Sequence, residues 1–295
     1  MAGSEALSAH LATGLTTVAR CWEVRRKDGR RFGFTDHDLD LAFDDLTFRA
    51  DTGMSAAALQ QGTGLAVDNS EAIGALSDAS VTEADIAAGR FDGAEVTAWL
   101  VNWADVGARK VLFRGSLGEI TRSGGGFSAE LRGLTEVLNR PVGRVFQAPC
   151  SAVLGDRACS VDLDAPGMKA RATVSEVTET GGVVLSVSGA FEAGWFQRGR
   201  LNVLDGEAVG LWAVLKRDVV LADGTRQVEF WEPLRAPLDV GTQVELVAGC
   251  DKRFETCRAK FDNLVNFQGF PDIPQEEWML VHPTLARARD GGSLR

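Results

Sequence analysis

Four of the five cysteines fall into two pairs, and these are the residues with the clearest chemistry in the sequence. Cys150 and Cys159 are separated by eight residues in PCSAVLGDRACSVDL, and Cys250 and Cys257 by six in GCDKRFETCRAKF. Thiolates are soft ligands, so four of them suit a tetrahedral zinc ion or an iron-sulfur cluster. Structural zinc usually takes paired ligands only about two to four residues apart. The wider loops here favour a [4Fe-4S] cubane, in which each iron corner accepts one cysteine, and zinc stands as the alternative. Arg157, Lys252, Arg253 and Arg258 flank these cysteines and could offset the negative charge of a ligated cluster. Scattered buried thiols are the plainer reading, since free cysteine is often a core residue, and two disulfides would need an oxidising compartment. Cys21 has no cysteine near it and is expected to be a core thiol on the first strand.

Asp36-His37-Asp38 is the other candidate for chemistry, and it keeps a metal-dependent enzyme, redox or hydrolytic, as the competing class. On a strand, adjacent residues point to opposite faces, so only the two aspartates would share a side. In a turn, the same side chains would bond nearby backbone groups. His10 and His282 sit in no motif, and no nucleophile elbow, phosphate loop or H-E-x-x-H is present. The tryptophans, among them Trp99, Trp103, Trp195, Trp212, Trp231 and Trp278, fit core or interface anchors better than a sugar-stacking face.

Around these residues the pattern is mainly β. Thr16 to Arg26, the turn Lys27-Asp28-Gly29 and Arg31 to Phe34 read as a hairpin, and Leu41 to Phe48 as a further strand. Met54 to Leu59 reads as a short helical stretch. Thr82 can cap a helix over Glu83 to Ala88 that Gly89 ends. Ala94 to Trp103, Val111 to Ile120 and Phe127 to Leu131 suggest a meander turning at Gly124-Gly125-Gly126, followed by a short helix over Leu134 to Leu138. Beyond the first cysteine pair, strands are expected at Lys169 to Val177, Gly182 to Val187, Arg200 to Leu204 and Val209 to Leu215. A hairpin over Val219 to Trp231 should turn at Asp223-Gly224. The fold class is therefore mainly β (all-β to α+β): two β-rich domains with short helices, residues 1–145 and 146–295, the second holding the four-cysteine centre.

The 295 residues carry 41 acidic and 31 basic side chains, a net charge of −10. Such a field repels phosphates, so a dedicated nucleic-acid binder is not expected. Met1 to Val18 lack the basic start and apolar core of a secretion signal, and no stretch reaches the roughly 20 apolar residues of a membrane span. The expectation is synthesis in a reducing bacterial cytoplasm, where paired cysteines are more often ligands than disulfides.

Longer segments carry a family likeness. GFTDHDLDLAF (Gly33 to Phe43), AGRFDGAEVTAWLVNW (Ala88 to Trp103), FRGSLGEITR (Phe113 to Arg122) and AELRGL (Ala129 to Leu134) resemble the N-terminal domain of baseplate hub proteins of gene transfer agents and prophages. The stretch from Cys150 to CDKRFETCRAKFDNLVNFQGFPDIP (Cys250 to Pro274) resembles their C-terminal domain, and its cysteine pattern is similar to that of the lambda tail tip protein L. Gln275 departs from the pattern, which more often has Gly there. The resemblance implies a virion structural protein without catalysis, placed in the tail baseplate. It implies a homotrimeric ring joining the tail tube and distal tail protein to the central spike or fibre (megatron-type) protein, with DNA passing through and no membrane span. It also implies a structural [4Fe-4S] cluster on Cys150, Cys159, Cys250 and Cys257, whose loss would unfold the surrounding domain.

Overall fold

The computed structural model describes residues 2–50, 55–56, 69–75, 81–123, 126–133, 143, 145–179 and 181–273. The chain divides into two compact units, Met1–Val142 and Gly143–Arg295.

The first unit opens with helix α1 (Ala2–Ala12), whose alanines favour helix and whose Glu5 and His10 suit its two dipole ends. A nine-stranded sheet follows, built from β1 (Val18–Arg25), β2 (Arg31–Thr35), β3 (Leu41–Phe43), β4 (Leu46–Arg49), β5 (Ser55–Ala56), β6 (Asn69–Ala75), β7 (Glu95–Asn102), β8 (Arg109–Ser123) and β9 (Gly126–Gly133). Their order is β3-β4-β2-β1-β7-β8-β9-β6-β5. Only β2 and β4 run parallel among the pairs in this sheet. Strand β1 is buried on both faces because successive side chains alternate. Trp22 and Val24 join one core with Phe34, Phe91, Phe113 and Leu131. Ala19 and Cys21 join another with Phe43, Phe48, Trp99 and Val101. Helix α2 (Glu83–Ala87) starts where the Thr82 hydroxyl accepts the Asp85 N–H at 3.1 Å.

The second unit holds a closed six-stranded barrel of β10 (Lys169–Val177), β11 (Val183–Val187), β12 (Arg200–Val203), β13 (Trp212–Val220), β14 (Arg226–Phe230) and β15 (Gln243–Val247). The strands close in the order β10-β11-β14-β13-β12-β15. Leu185, Leu201, Leu215, Val228, Val244, Leu246 and Phe196 fill it, all fully buried. Helix α3 (Phe254–Phe261) and one 3-10 turn (Leu264–Asn266) follow the last strand.

Several expectations change. Leu41 to Phe48 is a hairpin of two strands, because Asp44 and Asp45 take φ of 52° and 57° and so make a two-residue turn between β3 and β4. Within Met54 to Leu59, Ser55–Ala56 is extended and pairs with β6, not helical; the other four residues lie outside the described ones. Trp212 to Leu215, the end of the strand expected over Val209 to Leu215, and the start of the expected hairpin at Val219 are one strand, β13, whose register shift against β14 lets it bend around the barrel, while Val209 to Leu211 lie in the turn before it. The expected helix over Leu134 to Leu138 and residues Gly124 and Gly125 lie outside the described residues.

Candidate metal centre

The barrel positions the cysteines. β10 and β15 are its sequence-first and sequence-last strands, and they pair antiparallel from Lys169 against Val247 to Thr173 against Gln243. That register sets the segment before β10 beside the segment after β15, a neighbourhood extended by the Ala248 N–H donating to Met168 O at 2.8 Å. The two cysteine pairs are thus brought together by closing the barrel.

Backbone bonds then lace three segments. Cys150 N–H donates to Lys252 O at 2.9 Å, Ser151 N–H to Gln268 O at 3.4 Å, and Phe270 N–H to Gln147 O at 2.9 Å. A Cβ on Gly269 would stand 2.5 Å from Ala148 O, so only glycine allows this approach. Asp156 shapes the first loop, its carboxylate accepting N–H bonds from Cys159 (2.7 Å), Val153 (2.8 Å) and Ala158 (2.9 Å). Those donors, Cys159 first, hold its carboxyl below the usual range.

Cys150, Cys159, Cys250 and Cys257 line one cavity with Leu154, Val161, Phe261 and Phe267, and none is in a disulfide. Two sulfurs accept backbone N–H groups, Cys250 Sγ from Lys252 and Cys150 Sγ from Gln268, each at 3.4 Å. Such bonds favour a thiolate. Burial pushes the Cys257 thiol up, reinforced by the other three sulfurs, and burial likewise raises Cys250 against the Lys252 N–H and charge. No three His, Cys, Asp or Glu side chains among the described residues are set to hold a single metal ion.

Of the four cations singled out from sequence, Lys252 and Arg253 line this cavity, whereas Arg157 and Arg258 are exposed and do not. The Lys252 ammonium caps Ala152 O. Sequence reading missed Lys260, one turn beyond Cys257 on α3. Its ammonium donates to Gly249 O at 2.8 Å and to Trp195 O, and lies 4.3 Å from the Trp195 ring centre. Burial lowers its pKa, while Cys250 is the leading negative influence the other way. Also missed was Asn263, whose Nδ2 donates to Cys159 O at 2.5 Å while its own carbonyl accepts the Cys257 thiol at 3.3 Å. It joins the two cysteine pairs through one residue. Asn263→Ala should lower stability by about 1–3 kcal/mol, because it removes the Nδ2 bond to Cys159 O and the bond that Oδ1 accepts from Asn266 Nδ2 at 2.7 Å, as read by urea unfolding; Asn263→Ala at wild-type stability would contradict this.

The remaining candidates lie elsewhere. Cys21 is fully buried in the first unit, 3.6 Å from the Thr35 hydroxyl, and burial holds its pKa at about 11. Asp36 accepts Arg20 N–H at 2.6 Å, and His37 Nδ1 accepts Leu39 N–H at 3.0 Å while its ring packs at a tilt against Trp103. These side chains bond the turn. Trp99 is buried, Trp212 and Trp231 are exposed, and Trp278, His282 and Gln275 lie outside the described residues.

Comparison with known proteins agrees with this architecture. Residues 4–162 match the family model described as baseplate hub protein, N-terminal attachment domain, and residues 194–277 match a phage conserved hypothetical protein family. The first match includes Cys150 and Cys159, the second Cys250 and Cys257. No curated protein matches the chain. A solved chain from the virion of a native gene transfer agent particle is 52% identical, with a TM-score of 0.91 over 99% of this chain and 100% of that one. No helix among the described residues is long and apolar enough to cross a membrane. With more than half its length matched by that model, the chain belongs to the baseplate hub protein family.

Proposed function

We propose that the protein is a structural subunit of the tail baseplate of a gene transfer agent particle, and that its second unit is built around a [4Fe-4S] cluster. In this reading it forms a homotrimeric ring that joins the distal tail protein to the central spike or fibre, performs no catalysis and lets DNA pass without gripping it. Whole-length likeness to a chain of such a virion supports the particle assignment. The observation that carries the cofactor is four unpaired thiols lining one cavity, two of them accepting backbone N–H bonds.

A zinc ion would need all four sulfurs about 2.3 Å from one point, usually from ligands paired about two to four residues apart, and the wider C-x8-C and C-x6-C spacings favour the larger group. When bound, a cubane supplies four soft irons, one for each cysteine, and so ties the loops together. Lys252, Arg253 and Lys260 would offset its charge. Protein purified without oxygen should be brown, absorb broadly near 400 nm and contain about four irons and four sulfides per chain, as one cubane requires. One zinc and no colour would replace the cluster by the zinc alternative, and a folded metal-free protein would remove the metal from this reading.

A further inference from the structure

Among the described residues, part of one face of the nine-stranded sheet has nothing packed on it. Where the β3–β4 hairpin and its aromatic core stop, a groove opens that is lined by Glu23, Arg25, Arg31, Glu95, Arg114 and Arg132. Register explains the row. Arg31 pairs with Arg25, Arg25 with Glu95, Glu95 with Ser116 and Ser116 with Arg132, so one line of side chains crosses five strands, about 19 Å at the usual strand spacing. Glu23, Thr97 and Arg114 form the next line.

Four arginines against two glutamates make the groove basic in a chain of net charge −10. Glu95 is paired with Arg25, Glu23 with Arg31 at 2.6 Å, and Arg132 with Glu130 at 2.9 Å. Arg114 is exposed and has no acidic partner among the described residues. The opposite flank of the same sheet is the reverse. Asp36, Asp38, Asp40, Asp44 and Asp45 are all exposed around β3, with Leu39 standing 70% exposed among them. Asp38 and Asp45 have no cationic partner among the described residues.

We propose that this groove seats a second copy of the chain, the aspartate-rich β3 flank of one copy docking on the Arg114 end of its neighbour's groove. The inference rests on the ring reading above and names a surface for it. Two different patches on one subunit make a head-to-tail contact, the kind that closes into a ring when the rotation permits.

Sedimentation of the full chain at low and high salt tests this, since exposed charge pairs weaken as the screening length shortens. An oligomer at low salt that dissociates at high salt is expected. Arg114→Glu and Asp38→Arg should each weaken it at least tenfold, and the two combined in one chain should restore it, since the reversed charges again meet across the contact. A chain that is monomeric at low salt, or a double variant no better than the singles, overturns the proposal. An oligomer unchanged by Arg114→Glu discards the groove but leaves the ring and cluster readings standing. A short DNA duplex that binds the chain and is released by Arg114→Glu would reassign the groove to nucleic acid and also overturn it.

Discussion

Serine in place of Cys257 is expected to strip the proposed cluster from the second unit and leave a colourless protein with almost no iron. Cys257 is buried on α3 and lines the cavity with the other three cysteines. Serine keeps the size and loses the soft sulfur donor. Contrary to the expectation from sequence that the whole domain unfolds, the barrel should survive the loss, because its core of Leu185, Leu201, Leu215 and Leu246 shares no residue with the cavity lining. The segments that carry the cysteines have only scattered backbone bonds and one short helix, and should become protease-sensitive. The expected result is therefore iron content falling at least tenfold with far-UV circular dichroism of the strands nearly unchanged. Iron retained at wild-type level would refute a four-cysteine ligand set. Acid should mimic the substitution. Burial holds the Cys250 and Cys257 thiols above their ordinary value, and ligation needs the thiolate, so falling pH favours the protonated, metal-free form.

Much of this was legible because β-branched and aromatic runs between turn signals mark the strands, with period-two alternation added where one face is exposed, as along β10. β1, β7, β10 and the β13–β14 turn at Asp223-Gly224 lie where the pattern places strands and turn. β15 carries the same alternation in QVELV, yet its five residues between prolines and glycines were too short to stand out. Helix α3 had a readable signal as well. Phe254, Cys257 and Phe261 recur at helical spacing, but a segment read as a ligand loop hides that face. The cysteine set could be named from spacing. What assembles it could not, because the β10–β15 pairing joins residues nearly eighty positions apart and leaves no local trace. Asn263 and Lys260 were invisible for the same reason: each acts on a partner that only this closure brings near.

The least legible feature of the barrel carries the other large expected effect. Asp218 lies on β13 and Arg226 on β14, charged residue types that usually face solvent, yet their side chains are 0% and 4% exposed. Arg226 donates from Nη1 to both Asp218 carboxylate oxygens at 2.6 Å, and from Nη2 to Phe191 O at 2.7 Å. Asp218 in turn accepts the Phe196 N–H at 2.8 Å, and the guanidinium lies over the Phe196 ring. The pair thus fastens the 188–199 connection across the barrel. Asp218→Ala removes one partner and leaves a buried, uncompensated guanidinium, a change that costs about 3–5 kcal/mol. For a unit of this size that corresponds to a melting point lower by roughly 10 °C, readable by calorimetry. A loss under about 1 kcal/mol would mean that water reaches Arg226, contrary to its burial. Replacing both residues, Asp218→Leu with Arg226→Met, should recover most of the stability, because burying two charges costs nearly what their attraction returns. Recovery in the double variant with a looser 188–199 segment, seen as faster amide exchange there, would show that the pair fixes one arrangement of the barrel's end and adds little to its net stability.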